Sequence, residues 1–195
     1  QGGELMAKII LVTGGARSGK SSFAEQLADS LALPVAYIAT AEVWDREMAE
    51  RVELHQQRRP DHWTTFEAPQ SAEQAIRQAA DQVGAILFDC LTVYTSNCLL
   101  ALPESMTAWQ RREQVLAALE KVISAALQFN GTVIFVTNEV GDGIVPDNRL
   151  AREFRDLAGL VNQKVAQAAD EVYLVVCGLP VEIKSRALFP IGGNQ

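Results

Sequence analysis

The chain has 195 residues, of which 48% are hydrophobic and 21% charged, an ordinary globular balance that excludes a disordered or fibrous chain and suits one domain. Its 24 acidic and 17 basic residues leave a formal net charge of -7, which repels a phosphate polymer and argues against bulk nucleic-acid binding. Cys90, Cys98 and Cys177 are odd in number and lack CxxC spacing, and no apolar run reaches the roughly 18 residues of a membrane helix, so a reducing cytoplasm is expected, with neither zinc nor disulfides.

In chain order, QGGEL precedes Met6 and reads as an appended or ragged end, with one nucleotide-binding domain expected over 6–195. The run KIILVT, 8–13, has the length of a buried strand, and a helical pattern covers 20–31. A second strand, VAYIAT at 35–40, precedes helical periodicity over 45–57, a short strand at Trp63–Glu67 and a helix over 70–82. AILFD at 85–89 is the next buried strand. The apolar SNCLLAL, 96–102, reads as a helix that suits either core or a subunit interface, and a further helix is predicted over 105–129. TVIFVT at 132–137, a helix at 148–169 and EVYLVV at 171–176 follow, then Gly178 and Pro180 as turn residues before a short strand at Val181–Lys184. Strands alternating with helices imply an α/β fold with a mostly parallel sheet covered on both faces. In such a sheet ligands sit beyond the carboxyl ends of the strands, which selects Gly14–Ser21, Ala39–Ala41, Asp89–Thr92 and Asn138–Gly143.

The strongest of these is GGARSGKS, comprising Gly14, Gly15, Ala16, Arg17, Ser18, Gly19, Lys20 and Ser21, which fits GxxxxGK[ST] between a strand and a helix. Glycines let backbone N–H groups curl around phosphates, the helix N-terminus adds partial positive charge, Lys20 reaches the outer phosphates and Ser21 ligates Mg2+. Asp89 is placed as the partner carboxylate of the metal, its alternative being an ordinary strand-end or N-cap aspartate. A switch GTPase requires a DxxG element and an NKxD-type guanine reader, whereas this chain has DCLT and TNEVG there. That leaves kinase-like or transferase-like chemistry.

In DREMAERVELHQQRRP, 45–60, helical spacing brings Arg51, His55 and Arg58 or Arg59 onto one face. Such a stripe suits a histidine that attacks a nucleotide phosphate; a solvated face with a Glu47–Arg51 pair explains the same spacing. His62, beside Trp63, is expected to pack or cap. In TNEVGDGIVPDNRLAREFRD, Gly141 and Gly143 permit unusual backbone angles, and Pro146 with Asp147 or Asn148 starts a helix bearing Arg149, Arg152 and Arg155. This loop reads either as the lining of an acceptor site, with Asn138 and Glu139 toward the phosphates, or as a solvated surface.

GGARSGKS, AYIAT, RVELHQQRRPDHW, DCLT with NCLL, TNEVGDGIVPDNRLAREFRD and GLPVEIK follow one another as in the adenosylcobinamide kinase and adenosylcobinamide-phosphate guanylyltransferase family of cobalamin synthesis, which the chain resembles over nearly its whole length. The resemblance implies a P-loop NTPase (RecA-like) three-layer sandwich. It also implies phosphorylation of adenosylcobinamide with ATP or GTP, then transfer of GMP from GTP to the phosphate through a guanylyl-histidine. By resemblance His55 is the guanylylated residue, Lys20 is catalytic, Ser21 and Asp89 hold Mg2+, and Gln56, Gln57, Arg58, Arg59 and Glu67 fall among nucleotide contacts, with Ala39, Thr40 and Ala41 on a second nucleotide loop. A homotrimer is implied as well. Tyr94 stands where a tryptophan is expected, Cys98 replaces an aliphatic residue, and Asp89 stands where some relatives carry Glu. Competing readings are another small-molecule P-loop kinase without a covalent nucleotide intermediate, and a RecA-like ATP-binding assembly module, which the acidic balance disfavours.

Overall fold

The computed structural model describes residues 7–42 and 60–188. The elements are β1 (Lys8–Gly14), α1 (Lys20–Ser30), β2 (Val35–Ala39), β3 (Thr64–Glu67), α2 (Ala72–Ala79), β4 (Ala85–Asp89), α3 (Leu91–Leu100), α4 (Ala108–Gln128), β5 (Thr132–Asn138), α5 (Arg149–Ala168), β6 (Glu171–Val176) and β7 (Leu179–Glu182), with a short 3-10 turn at Lys184–Arg186. The predicted helix over 45–57 lies outside the described residues.

Seven strands form one sheet in the order β3-β2-β4-β5-β1-β6-β7. All pairings are parallel except β6 with β7. Alternate residues of each strand enter opposite faces, as pleating requires. Ile9, Leu11, Ile38, Ile86, Phe88, Val133 and Phe135 pack with α2, α3, α4 and α5. Ile10, Val12, Val35, Tyr37, Leu87, Ile134 and Val136 pack with Ala24 and Ala28 of α1 and with Trp63. Burial on both faces explains why the strands read as continuous apolar runs rather than alternating ones.

Local chemistry sets the ends of these elements. Thr107 caps α4 reciprocally with Gln110, the Thr107 hydroxyl accepting from the Gln110 amide while the Gln110 side chain accepts from the Thr107 amide. Asn148, one of the two predicted starts, caps α5 by accepting from the Ala151 amide at 2.7 Å.

Three expectations need correction. The last strand begins at Leu179 rather than 181, because Cys177 (φ 52°) and Gly178 (φ 78°) complete a two-residue hairpin turn in the left-handed region. Pro180 is therefore inside β7, where an edge strand spares it the missing N–H. The apolar segment at 96–102 belongs to a helix that starts five residues earlier, at Leu91; Leu91, Tyr94 and Leu99 are buried in the core, while Leu100 is exposed. His62 is exposed and, among the described residues, makes no hydrogen bond that would cap an element; Trp63 is the buried member of the pair.

Candidate functional site

The carboxyl edge of the sheet gathers the selected positions at one level. Ala39 lies opposite both Glu67 of β3 and Asp89 of β4, and Gly14 lies opposite Asn138 of β5. The strand bearing Asp89 is not a neighbour of the strand that feeds the glycine loop; β5 runs between them.

The loop from Gly14 to Gly19 enters α1 through left-handed backbone at Arg17 (φ 57°) and Gly19 (φ 96°). Gly14 has no room for a side chain, since a Cβ there would lie 2.5 Å from the Val175 carbonyl oxygen and 2.6 Å from the Ser18 hydroxyl. The β6–β7 hairpin braces the loop from outside, the Gly178 amide donating to the Ser18 carbonyl at 2.8 Å. Gly15, Ala16 and Arg17 are exposed and Ser21 is half-buried, so a phosphate has access to the amides at the open side. The Ser18 hydroxyl is buried and has no hydrogen-bond partner among the described residues.

Lys20, in the first turn of α1, is buried, and its ammonium donates to the Gly15 carbonyl at 3.1 Å. Burial lowers its pKa, an effect opposed by the nearby Cys90 and Asp89. A phosphate restores to this desolvated cation the negative partner that burial denies it. Beside it the Cys90 thiol is pushed up to about 12, chiefly by burial and next by Asp89, and so stays protonated and inert.

Asp89 is half-buried and is held by two devices that the sequence did not reveal. The Tyr37 hydroxyl, from β2, donates to its carboxylate at 2.5 Å. Thr40 straps its backbone: the Thr40 amide donates to the Asp89 carbonyl at 3.1 Å, and the Cys90 amide donates to the Thr40 hydroxyl at 2.8 Å. That hydroxyl's own proton faces the Asp89 and Cys90 carbonyls at 3.1 and 3.0 Å, across a cis Asp89–Cys90 peptide bond. Asn97 of α3 then donates from its amide to the Thr40 carbonyl at 2.8 Å and to the Pro69 carbonyl at 3.1 Å. Thr40 is fully buried and its amide, carbonyl and hydroxyl all bond to protein atoms. Cys90, not Asp89, caps α3, which leaves the Asp89 carboxylate available. The hint in the sequence was polar-tipped residues, Tyr37 inside an otherwise apolar strand and Thr40 just past its end.

The end of β5 is fixed in the same manner. The Asn138 amide donates to the Thr92 hydroxyl at 2.7 Å, and the Asn162 side-chain amide donates to the Asn138 carbonyl at 3.2 Å. The Thr137 hydroxyl donates to Asn162 at 2.6 Å. The Glu139 amide donates to the Gly14 carbonyl at 3.0 Å, tying this strand end to the glycine loop. Its carboxylate is exposed and accepts from the Gly141 amide at 3.1 Å. Arg152 donates to the Pro146 and Asp147 carbonyls, and Arg155 to the Gly141 carbonyl, so both arginines hold the loop rather than standing free in solvent.

Glu67 is exposed at the end of β3, and Ala41 is half-buried just past Thr40. His55, Gln56, Gln57, Arg58 and Arg59, with Arg51, lie outside the described residues. Among the described residues no group of three or more His, Cys, Asp and Glu side chains forms a metal cluster. The hard oxygen donors of Ser21 and Asp89 suit Mg2+, which takes one or two protein oxygens and leaves its other positions to phosphate and water.

Sheet, loop and buried lysine together define a P-loop α/β protein. Residues 10–183 match the family model described as cobinamide kinase / cobinamide phosphate guanyltransferase. The chain is 44% identical over 181 residues to the bifunctional adenosylcobalamin biosynthesis protein CobU of Escherichia coli, covering 90% of this chain and 99% of that one. It is 46% identical over 181 residues to the protein of the same description from Salmonella typhimurium, with 90% and 99% covered. It is 38% identical over 178 residues to the bifunctional adenosylcobalamin biosynthesis protein CobP of Pseudomonas aeruginosa, with 91% and 98% covered. Among solved structures, a KaiC-like protein of Pyrococcus horikoshii aligns with a TM-score of 0.47 at 16% identity, over 87% of this chain and 71% of that one. The chain belongs to the cobinamide kinase / cobinamide phosphate guanyltransferase family. Among the described residues no helix is long and apolar enough to cross a membrane.

Proposed function

We propose that this chain phosphorylates adenosylcobinamide with ATP or GTP and then transfers GMP from GTP to the resulting phosphate, giving adenosylcobinamide-GDP. What carries the reading is a buried lysine cation bonded to the exposed glycine loop that precedes it, in a chain matched to the family over residues 10–183.

In the first reaction the acceptor hydroxyl attacks the γ-phosphorus, the bond to the nucleoside diphosphate breaks, and the hydroxyl proton leaves to solvent or a base. Lys20, itself desolvated by burial, and the amides at the start of α1 stabilise charge on the transferring group. Ser21 and Asp89 would hold Mg2+, which when bound draws charge from the phosphate oxygens. Tyr37 and Thr40 keep Asp89 aimed along the sheet edge. In the second reaction an imidazole nitrogen of His55 attacks the α-phosphorus of GTP and pyrophosphate leaves. An oxygen of the acceptor phosphate then displaces the histidine, the phosphorus–nitrogen bond breaking with its electron pair returning to the ring. Gln56, Gln57, Arg58, Arg59 and Glu67 serve the guanine nucleotide, and the enzyme works as a cytoplasmic homotrimer, a state supported by the family membership.

Incubation with α-labelled GTP tests the reading. Label is expected to stay on the protein through alkali, to be released by acid, as for a phosphoramidate, and to be absent from His55→Ala. γ-Phosphoryl transfer to cobinamide with no label on the unaltered protein would instead establish a simple P-loop kinase.

A further inference from the structure

A cleft with a volume of about 690 Å3 lies apart from the phosphate loop, between the start of α4, the loop after β5 and the first half of α5. Arg112, Arg152 and Arg155 line it, with Asp156 as the one carboxylate among the described lining residues. Three cations against one anion leave two positive charges in one cleft of a chain whose formal net charge is -7. Such a local reversal of sign concentrates anions.

The arginines are not equivalent. Arg152 and Arg155 are held by loop carbonyls, which fixes their heads while leaving further N–H donors of each guanidinium unspent. Arg112 is exposed and, among the described residues, has neither ion pair nor hydrogen bond; its neighbour Arg111 is spent on Glu153 at 2.6 Å. Fixed donors flanking a free one form a clamp for an oxyanion. Gln163 supplies an amide to the same wall, Gly159 keeps the floor open, and Val145 and Leu160 give it apolar surface. Next to Val145, Ile144 is 96% exposed, an apolar rim at the mouth. Phosphate, amides and an apolar macrocycle are the three recognition elements of a phosphorylated corrinoid.

Position agrees with chemistry. Gly141 lines the cleft and is three residues beyond Asn138, which pairs with Gly14 of the phosphate loop. Three residues span at most about 11 Å, and neighbouring strands lie about 4.8 Å apart, so the near wall is within roughly 16 Å of Gly14. An aminopropanol arm and the phosphates of a nucleotide bridge such a gap.

We infer that this cleft is the acceptor site of guanylyl transfer, with Arg112, Arg152 and Arg155 gripping the phosphate of cobinamide phosphate and so favouring the phosphorylated acceptor over unphosphorylated cobinamide. The inference rests on the function proposed above. Steady-state guanylyl transfer to cobinamide phosphate tests it in the unaltered enzyme, Arg112→Gln, Arg112→Glu and Arg112→Lys. Formation of α-labelled protein, which needs no acceptor, reports an intact fold and nucleotide site in each variant. The Gln variant is expected to raise KM for cobinamide phosphate about tenfold and to weaken its dependence on ionic strength. Glu should raise it further and Lys should restore most of it. Normal labelling with KM for the acceptor within about twofold in the Gln and Glu variants would overturn the inference alone, as would a rise confined to the KM for GTP. Absence of guanylyl transfer in the unaltered enzyme would overturn the proposed function, and the inference with it.

Discussion

Replacing Thr40 by Val separates two roles for that residue, a ligand of the nucleotide and a strut for Asp89. Valine keeps shape and volume but deletes the hydroxyl. The Asp89 carbonyl retains the Thr40 amide and the Cys90 carbonyl retains the Tyr94 amide, so the lost contact that matters is the Cys90 amide, whose partner is the hydroxyl at 2.8 Å. An amide buried without a partner costs about 1–3 kcal/mol. For a chain of this size that is a fall in Tm of about 2–12 °C. Release of the strap also lets the Asp89 carboxylate drift, and the kinase kcat is expected to drop at least about tenfold with the nucleotide KM nearly unchanged. Thr40→Ser keeps the hydroxyl and loses one buried methyl, about 1 kcal/mol, and should retain kcat. Thermal melts and initial-rate kinetics on both variants are the assay. A valine variant with unchanged Tm and kcat but a raised nucleotide KM would refute the strut and assign the hydroxyl to the nucleotide.

Gly14→Ala should destabilise the fold by about 1–3 kcal/mol and weaken nucleotide binding, because its Cβ meets the Val175 backbone oxygen at 2.5 Å, whereas a Cβ at Gly15 meets nothing within 4 Å; melting both alanine variants checks the contrast. The Glu182 carboxyl, held down to about 2 by Ser185 first and then by the amides of Val172, Ser185 and Lys184, contributes stability that is present above its ordinary value of 4.5 and lost as pH falls toward 2. The Tm difference between Glu182→Gln and the unaltered protein should thus be largest near neutrality and close in acid; a difference independent of pH would contradict it.

Much of this protein is legible without coordinates because burial writes a local pattern. The runs at 8–13, 35–40, 85–89 and 132–137 have to be strands buried on both faces, and GGARSGKS between a strand and a helix has to be a phosphate loop. The glycine at 14 and the lysine at 20 carry that meaning within eight residues of chain. Partners far apart in sequence leave no such trace. The bond from Cys90 to Thr40 spans 50 residues and that from Tyr37 to Asp89 spans 52, and only the pairing of β2 with β4 brings them together. The cleft behind Gly141 likewise exists only because α4 and α5 pack side by side, joined by Arg111 and Glu153. Sequence determined the elements and the loop, since those follow from short-range periodicity and backbone freedom; tertiary structure decided which hydroxyl holds which carboxylate, since a hydrogen bond of about 3 Å depends on where whole strands are set.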